Sequence, residues 1–171
     1  MKRLIGILFL TFCIAGIVSA QKIGYVDSKF ILEQMEEYTS AQEEIDALSK
    51  KWQRELEDMY AKIEQMYKDY QAEEVLLTDD VKKQRQEDIF EAERKAKEFK
   101  KGKFGYDGEL YKVQDEKIKP IQDKVYDAIE QMAKERRLDF IFDKSANTGI
   151  LYTNAVYDRT DDVMVKLGLK R

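Results

Sequence analysis

Histidine is absent from the 171 residues, and cysteine and proline occur once each, as Cys13 and Pro120. Cys13 lies in an apolar N-terminal run expected to be cleaved, so the mature chain would lack both the usual general base and the usual thiol nucleophile. These absences also leave zinc nothing but carboxylates for ligands. The eight glycines form neither a G-x-S-x-G elbow nor a phosphate-cradling loop. Neither an enzyme nor a bound cofactor or metal is expected. One cysteine makes no intramolecular disulfide, so stability must come from another source. A single proline together with 37% charged residues points to long, solvated helices.

Lys2 and Arg3 precede an apolar run from Leu4 to Val18, which closes on Ser19-Ala20 ahead of Gln21. A charged start, an apolar middle and a small-residue end make a secretory signal peptide over 1–20, with cleavage expected after Ala20. The run is shorter than the roughly 20 residues of a membrane span. A lipoprotein site at Cys13 is disfavoured by bulky Phe12 before it. Removal of the leader takes away the only thiol, and 28 basic residues then face 34 acidic ones, a net charge of −6.

The middle of the chain carries a heptad seam. Apolar residues fall at Tyr38, Ala41, Ile45, Leu48, Trp52, Leu56, Met59, Ile63, Met66 and Tyr70. The steps alternate three and four, with one extra four-step at Trp52 to Leu56, a stutter. A helix over about 39–77 would be roughly 58 Å long. Thr78-Asp79-Asp80 breaks it and offers a cap for a second helix. The seam resumes through Ile89, Ala92, Ala96, Phe99, Tyr106, Leu110 and Val113, then Ile121, Val125, Ala128 and Met132. Two such helices joined by a short turn predict an antiparallel helical hairpin.

The ends have a different period. KIGYV (22–26) and LDFIF (138–142) have strand composition, and ILYT (150–153) is expected to return beside the latter. DRTDD (158–162) is expected to start a last helix that stops at Gly168. Strands this few and short are marginal alone, so oligomerisation is the expected remedy.

KIGYVDSKFILEQMEEY, PIQDKVYDAIEQMAKERRLDFIFDKS, GILYT and YDRTDDVMVKL together resemble the Skp/OmpH family of periplasmic chaperones. The resemblance spans the mature chain, and its most specific part runs from Ala128 to Leu167. It implies a mostly helical α+β fold, with residues 21–38 and 120–171 as a β-rich oligomerisation body and 39–119 as the hairpin. It further implies a homotrimer around a small central β-barrel, with three hairpin tentacles enclosing a cavity. The implied activity is an ATP-independent periplasmic holdase for unfolded outer-membrane β-barrel proteins. Several relatives are strongly basic, whereas this chain is acidic, so client capture by overall charge does not carry over. The rival class is a structural or adaptor coiled coil of the cell envelope, but the flanks are too short for an efflux-pump adaptor.

Within that frame Tyr60, Met66, Tyr67, Tyr70 and Phe104 are the candidate client contacts, because Tyr and Met adapt to varied partners. A basic band, Arg94, Lys95, Lys97, Lys100, Lys101 and Lys103, is either a solvated face or an attractor of clients or lipid headgroups. Nucleic acid is not an expected partner of an exported acidic chain without a nucleic-acid fold. Gly102, Gly105 and Gly108 weaken the returning helix by roughly 1 kcal/mol each relative to Ala, which predicts a hinge. Pro120 is expected to kink that helix, or else to start a new one.

Overall fold

The computed structural model describes residues 21–146 and 149–169; the expected leader lies outside them. The order of elements is β1 (Ile23–Val26), α1 (Ser28–Glu33), α2 (Glu36–Glu73), a 3₁₀ turn (Glu74–Leu76), α3 (Asp79–Phe104), α4 (Glu109–Arg136), β2 (Phe140–Asp143), a second 3₁₀ turn (Ala155–Tyr157) and α5 (Thr160–Lys166). The chain divides into two compact units, one of residues 32–124 and one drawn from both flanks.

In the flanking unit β1 and β2 pair in parallel, with Ile23 opposite Phe140 and Val26 opposite Asp143. A parallel pair requires a crossover, because no tight turn can join strands that run the same way. Here the crossover is the whole helical middle. On its other side β1 meets Asp158, and the Arg159 amide donates to the Tyr25 carbonyl at 2.9 Å. Val26, Ile31, Met132 and Val163, the largest fully buried side chains among the described residues, all belong to this unit.

Polar clamps lock the strand ends. Asp27 caps α1 by accepting from the Phe30 amide at 2.9 Å, the role expected of an N-cap carboxylate. The Asp143 carboxylate accepts from the Ser28 amide at 3.2 Å and the Ser28 hydroxyl at 2.5 Å. It also accepts from the Ser145 amide at 3.0 Å and the Ser145 hydroxyl at 2.7 Å. Asp158 accepts from the Thr160 amide at 2.9 Å, and so opens α5 from just before its first turn. The helix stops as expected at Gly168, which sits at φ 72° while the Leu169 amide donates to the Met164 carbonyl. A positive φ there is the usual demand of a helix C-terminus on glycine.

The expected strand over 150–153 is not formed. These residues lie outside any strand, and Leu151 is fully exposed at 100%. Their composition favours a strand, but they pair with none among the described residues, and the outer edge of β2, where they are expected, has no strand beside it there. β1 is already flanked on both sides, by β2 and by the bridge at Asp158.

In the other unit α2 and α3 run antiparallel, as the cross-pairs show. Arg85 meets Glu73, Tyr67 meets Glu93, Trp52 meets Phe104, and Lys117 and Lys124 reach Glu44 and Glu37. The seam is buried at Ala41, Ile45, Trp52, Leu56 and Ile63 of α2 and at Ile89 and Ala96 of α3. Leu56, Ile63 and Ala96 form a cluster flanked by Met59, Ala92, Phe99 and Phe104. The step from Trp52 to Leu56 keeps both side chains inside, which is how a four-residue stutter is absorbed. Thr78 stands at the N-cap of α3, but its hydroxyl makes no capping bond.

Two expectations about the returning helix change. Tyr106 leaves the seam and is 90% exposed, because the helix is interrupted over residues 105–108. The alternative of a fresh helix start at Pro120 does not occur, since α4 runs through that residue from Glu109 to Arg136. The rod is broken at Gly105 and Gly108, and Pro120 does not end the helix that carries it.

Asp143 is drawn upward by burial, but the bonds from Ser28 and Ser145 outweigh it and hold its carboxyl below the usual range. Asp158 behaves likewise: burial raises it, and the Thr160 bonds prevail. A depressed folded pKa stabilises above the unfolded value near 3.9 and is lost as pH falls through the folded one. Thermal melts from pH 7 to pH 3 should therefore show a midpoint that drops below about pH 4, and Asp143→Asn should flatten that drop.

Candidate functional site

The hairpin carries most of the sequence-derived candidates, and they separate into three groups. Tyr60 and Tyr67 are exposed, Met66 and Tyr70 are half-buried along the seam, and Phe104 lies edge-on against Trp52 with ring centroids 6.4 Å apart. Phe104 is therefore packed against the seam, whereas Tyr60 and Tyr67 present faces to solvent.

The distal part of the hairpin holds a cavity of about 290 Å³ lined by Tyr67, Tyr70, Gln86, Ile89, Phe90 and Glu93. The Tyr67 hydroxyl donates to Glu93 at 3.0 Å, and that bond to a carboxylate raises the tyrosine's pKa. The Tyr70 hydroxyl accepts from the Gln86 amide at 2.8 Å and donates to Glu74 at 3.3 Å. Phe90, one residue off the seam, is 64% exposed, and Val75 and Leu76 in the turn are 88% and 82% exposed. The heptad register leaves Phe90 out because its neighbour Ile89 fills the seam position. An aromatic standing beside a seam residue was the available signal for it.

The basic band is uneven in its pairing. Arg94 is held between Glu91 at 2.7 Å and Glu98 at 2.9 Å, and both carboxylates raise its pKa. Lys103 ion-pairs with Glu109 and lies 4.5 Å from the centre of the Trp52 ring. It therefore acts as a cation–π cover for the seam, a contact of about 0.5–2 kcal/mol depending on how far the pair is desolvated. No ion pair is seen for Lys95, Lys97, Lys100 or Lys101 among the described residues.

The three glycines do three different things. Gly102 is helical within α3, and a Cβ there would meet nothing within 4 Å. Gly105 ends α3 in extended backbone, and its Cβ would approach the Lys101 carbonyl oxygen to 2.4 Å. At Gly108 a Cβ would approach the Lys103 oxygen and the Gly105 amide to 2.8 Å each. Close backbone approach therefore explains Gly105 and Gly108, and Tyr106 stacks on Tyr111 beside them at 6.2 Å. Opposite the interruption, between the contacts at Trp52 and Glu44, α2 stays helical.

The flanking unit has a surface that sequence reading does not single out. Ile23, Phe140 and Phe142 are exposed at alternate strand positions, which place them on one sheet face. An apolar cavity of about 330 Å³ lies within this unit, lined by residues that include Ile23, Tyr25, Phe142, Ile150, Tyr152 and Tyr157. Among the described residues no cluster of three or more acidic or cysteine side chains is placed to hold a metal. No helix among them is long and apolar enough to cross a membrane.

A family model described as "Outer membrane protein (OmpH-like)" matches residues 22–167. Among solved structures, an OmpH-like outer membrane chaperone from Caulobacter crescentus CB15 superposes with a TM-score of 0.66. The match covers 87% of this chain and 85% of that one, at 11% identity, so the likeness is one of fold. No curated protein matches the chain.

Substitution should separate the glycines. Gly102→Ala should raise the urea midpoint of the hairpin by the equivalent of up to about 1 kcal/mol. Gly105→Ala and Gly108→Ala should lower it, since each places a carbon inside contact distance of backbone.

Proposed function

The chain belongs to the OmpH-like outer membrane protein family, and from that premise we propose that it is an ATP-independent periplasmic holdase working as a homotrimer. Its clients are unfolded outer-membrane β-barrel proteins, held between the hairpins of the assembled copies until insertion. The observation that carries the assembly is the partly exposed apolar sheet face of Ile23, Phe140 and Phe142, on which Tyr25 is already buried, together with exposed Leu151 and Tyr152 in the same unit. Contiguous apolar surface of that kind marks a place where another protein sits. Further copies of the chain would cover it and could supply the strand partner that residues 150–153 lack. The expected β-barrel body is that arrangement.

Holding a client requires surface and reach. Unfolded barrel proteins carry open strand edges and apolar faces that self-associate, and shielding them needs many weak contacts. Tyr60 and Tyr67, with Phe90 and the Tyr106–Tyr111 stack, offer such contacts. The lysines of the band outside ion pairs add a local positive field to a chain that is acidic as a whole, and lipid headgroups are a secondary partner for it. The glycine interruption gives one rod of each hairpin a compliant point, so that a cavity could widen.

Mature protein should suppress light scattering when a urea-unfolded barrel protein is diluted, at close to one trimer per client and without nucleotide. Undiminished aggregation at severalfold excess would overturn the holdase assignment.

A further inference from the structure

The distal notch of the hairpin combines aromatic and aliphatic side chains with a carboxylate in its lining. Its floor is apolar, formed by Ile89, the exposed ring of Phe90 and the faces of Tyr67 and Tyr70. Two carboxylates stand at it, Glu93 in the lining and Glu74 at Tyr70, each fixed by a tyrosine hydroxyl. Neither is in an ion pair among the described residues. Around them Glu73, Asp79, Asp80, Glu87 and Asp88 outnumber Lys82, Lys83 and Arg85, and Arg85 is already engaged by Glu73.

We propose that this notch is a docking site for an extended polypeptide segment that presents Arg or Lys beside an aromatic or large aliphatic residue. The apolar side chain enters against Ile89 and Phe90, and the neighbouring cation reaches Glu93 or Glu74. Charge complementarity selects the occupant. Phosphate-rich lipid surfaces and acidic segments are repelled by the same carboxylates, and a neutral apolar segment leaves them unused. The tyrosine rings add to the preference, since a cation over an aromatic face is attracted by its quadrupole. The Tyr67 hydroxyl bond holds the Glu93 carboxylate in place before a ligand arrives, which lowers the ordering needed on binding.

The inference rests on the reading that the hairpin meets unfolded clients, and it adds which of their segments are gripped near the turn. It places the basic band and the acidic notch in opposite roles on one hairpin, so that a client with mixed charge is held at two heights.

Two fluorescein-labelled peptides of equal length and equal apolar content provide the probe, one with Arg beside Phe and one with Glu beside Phe. With the intact mature protein at low salt, anisotropy should show the Arg peptide binding about two- to fivefold more tightly, the preference of a partly exposed ion pair. The double substitution Glu74→Gln/Glu93→Gln should abolish that preference, and Phe90→Ala should weaken both peptides. Circular dichroism should show both variants as helical as the parent. Equal affinity for the two peptides, or a preference that survives the double substitution, would overturn the proposal. So would binding to phosphatidylglycerol vesicles that Phe90→Ala removes, because the occupant would then be a membrane. Dilution-aggregation assays on the same variants keep the two ideas apart. A protein that protects clients yet shows no peptide preference loses only the notch, and one that protects nothing loses the holdase reading.

Discussion

Parallel pairing of β1 with β2 is the constraint on which the rest of the structure depends. Two four-residue strands at opposite ends of the described chain lie side by side, and the Lys22 carbonyl accepts from the Asp139 amide at 2.7 Å to begin the ladder. Closing so long a loop costs about 4 kcal/mol in chain entropy by the logarithmic rule. Rigid helices lower that cost, because a hairpin returns its own ends to one place. The antiparallel pairing of α2 with α3, continued by the ion pairs from α4 back to α2, supplies that return, and the clamps at Asp27, Asp143 and Asp158 fix the strands once they meet. A chain built this way uses its helices for geometry and its short strands for closure.

The same arrangement explains where apolar surface remains. A two-helix rod has one seam, and once Trp52, Leu56, Ile63 and Ala96 fill it, residues beside the seam such as Phe90 and Tyr60 must face outward. A two-stranded sheet likewise has two faces and too few elements to cover both. The exposed aromatics are thus consequences of having so few layers. In the proposed assembly the sheet face is given to other copies and the hairpin surface to clients.

Much of this is legible in the residues alone because helices and strands write different periods. The three-four alternation from Ala41 to Ile63 locates α2, and the β-branched and aromatic runs at 22–26 and 138–142 locate both strands. Gly168 marks the last stop. Context is what a linear reading lacks. ILYT has strand composition but pairs with no strand among the described residues, and Tyr106 fits the heptad count but lies where Gly105 and Gly108 interrupt it. Pro120 is by its chemistry the stronger breaker, yet the helix absorbs it, while the close backbone approach at Gly105 and Gly108 has no signature beyond glycine itself. The notch is invisible for a related reason. Tyr67 and Glu93 are 26 residues apart, and only the antiparallel register brings them together.

On this reading one copy of the chain is incomplete, because its sheet face requires others. Light scattering on the mature protein, measured across a dilution series, tests this most directly. The expected result is a mass three times that of the mature chain, with loss of folded structure on the dilution that separates the copies. A chain that stays folded as a monomer at micromolar concentration, with Phe140 and Phe142 still in water, would contradict it.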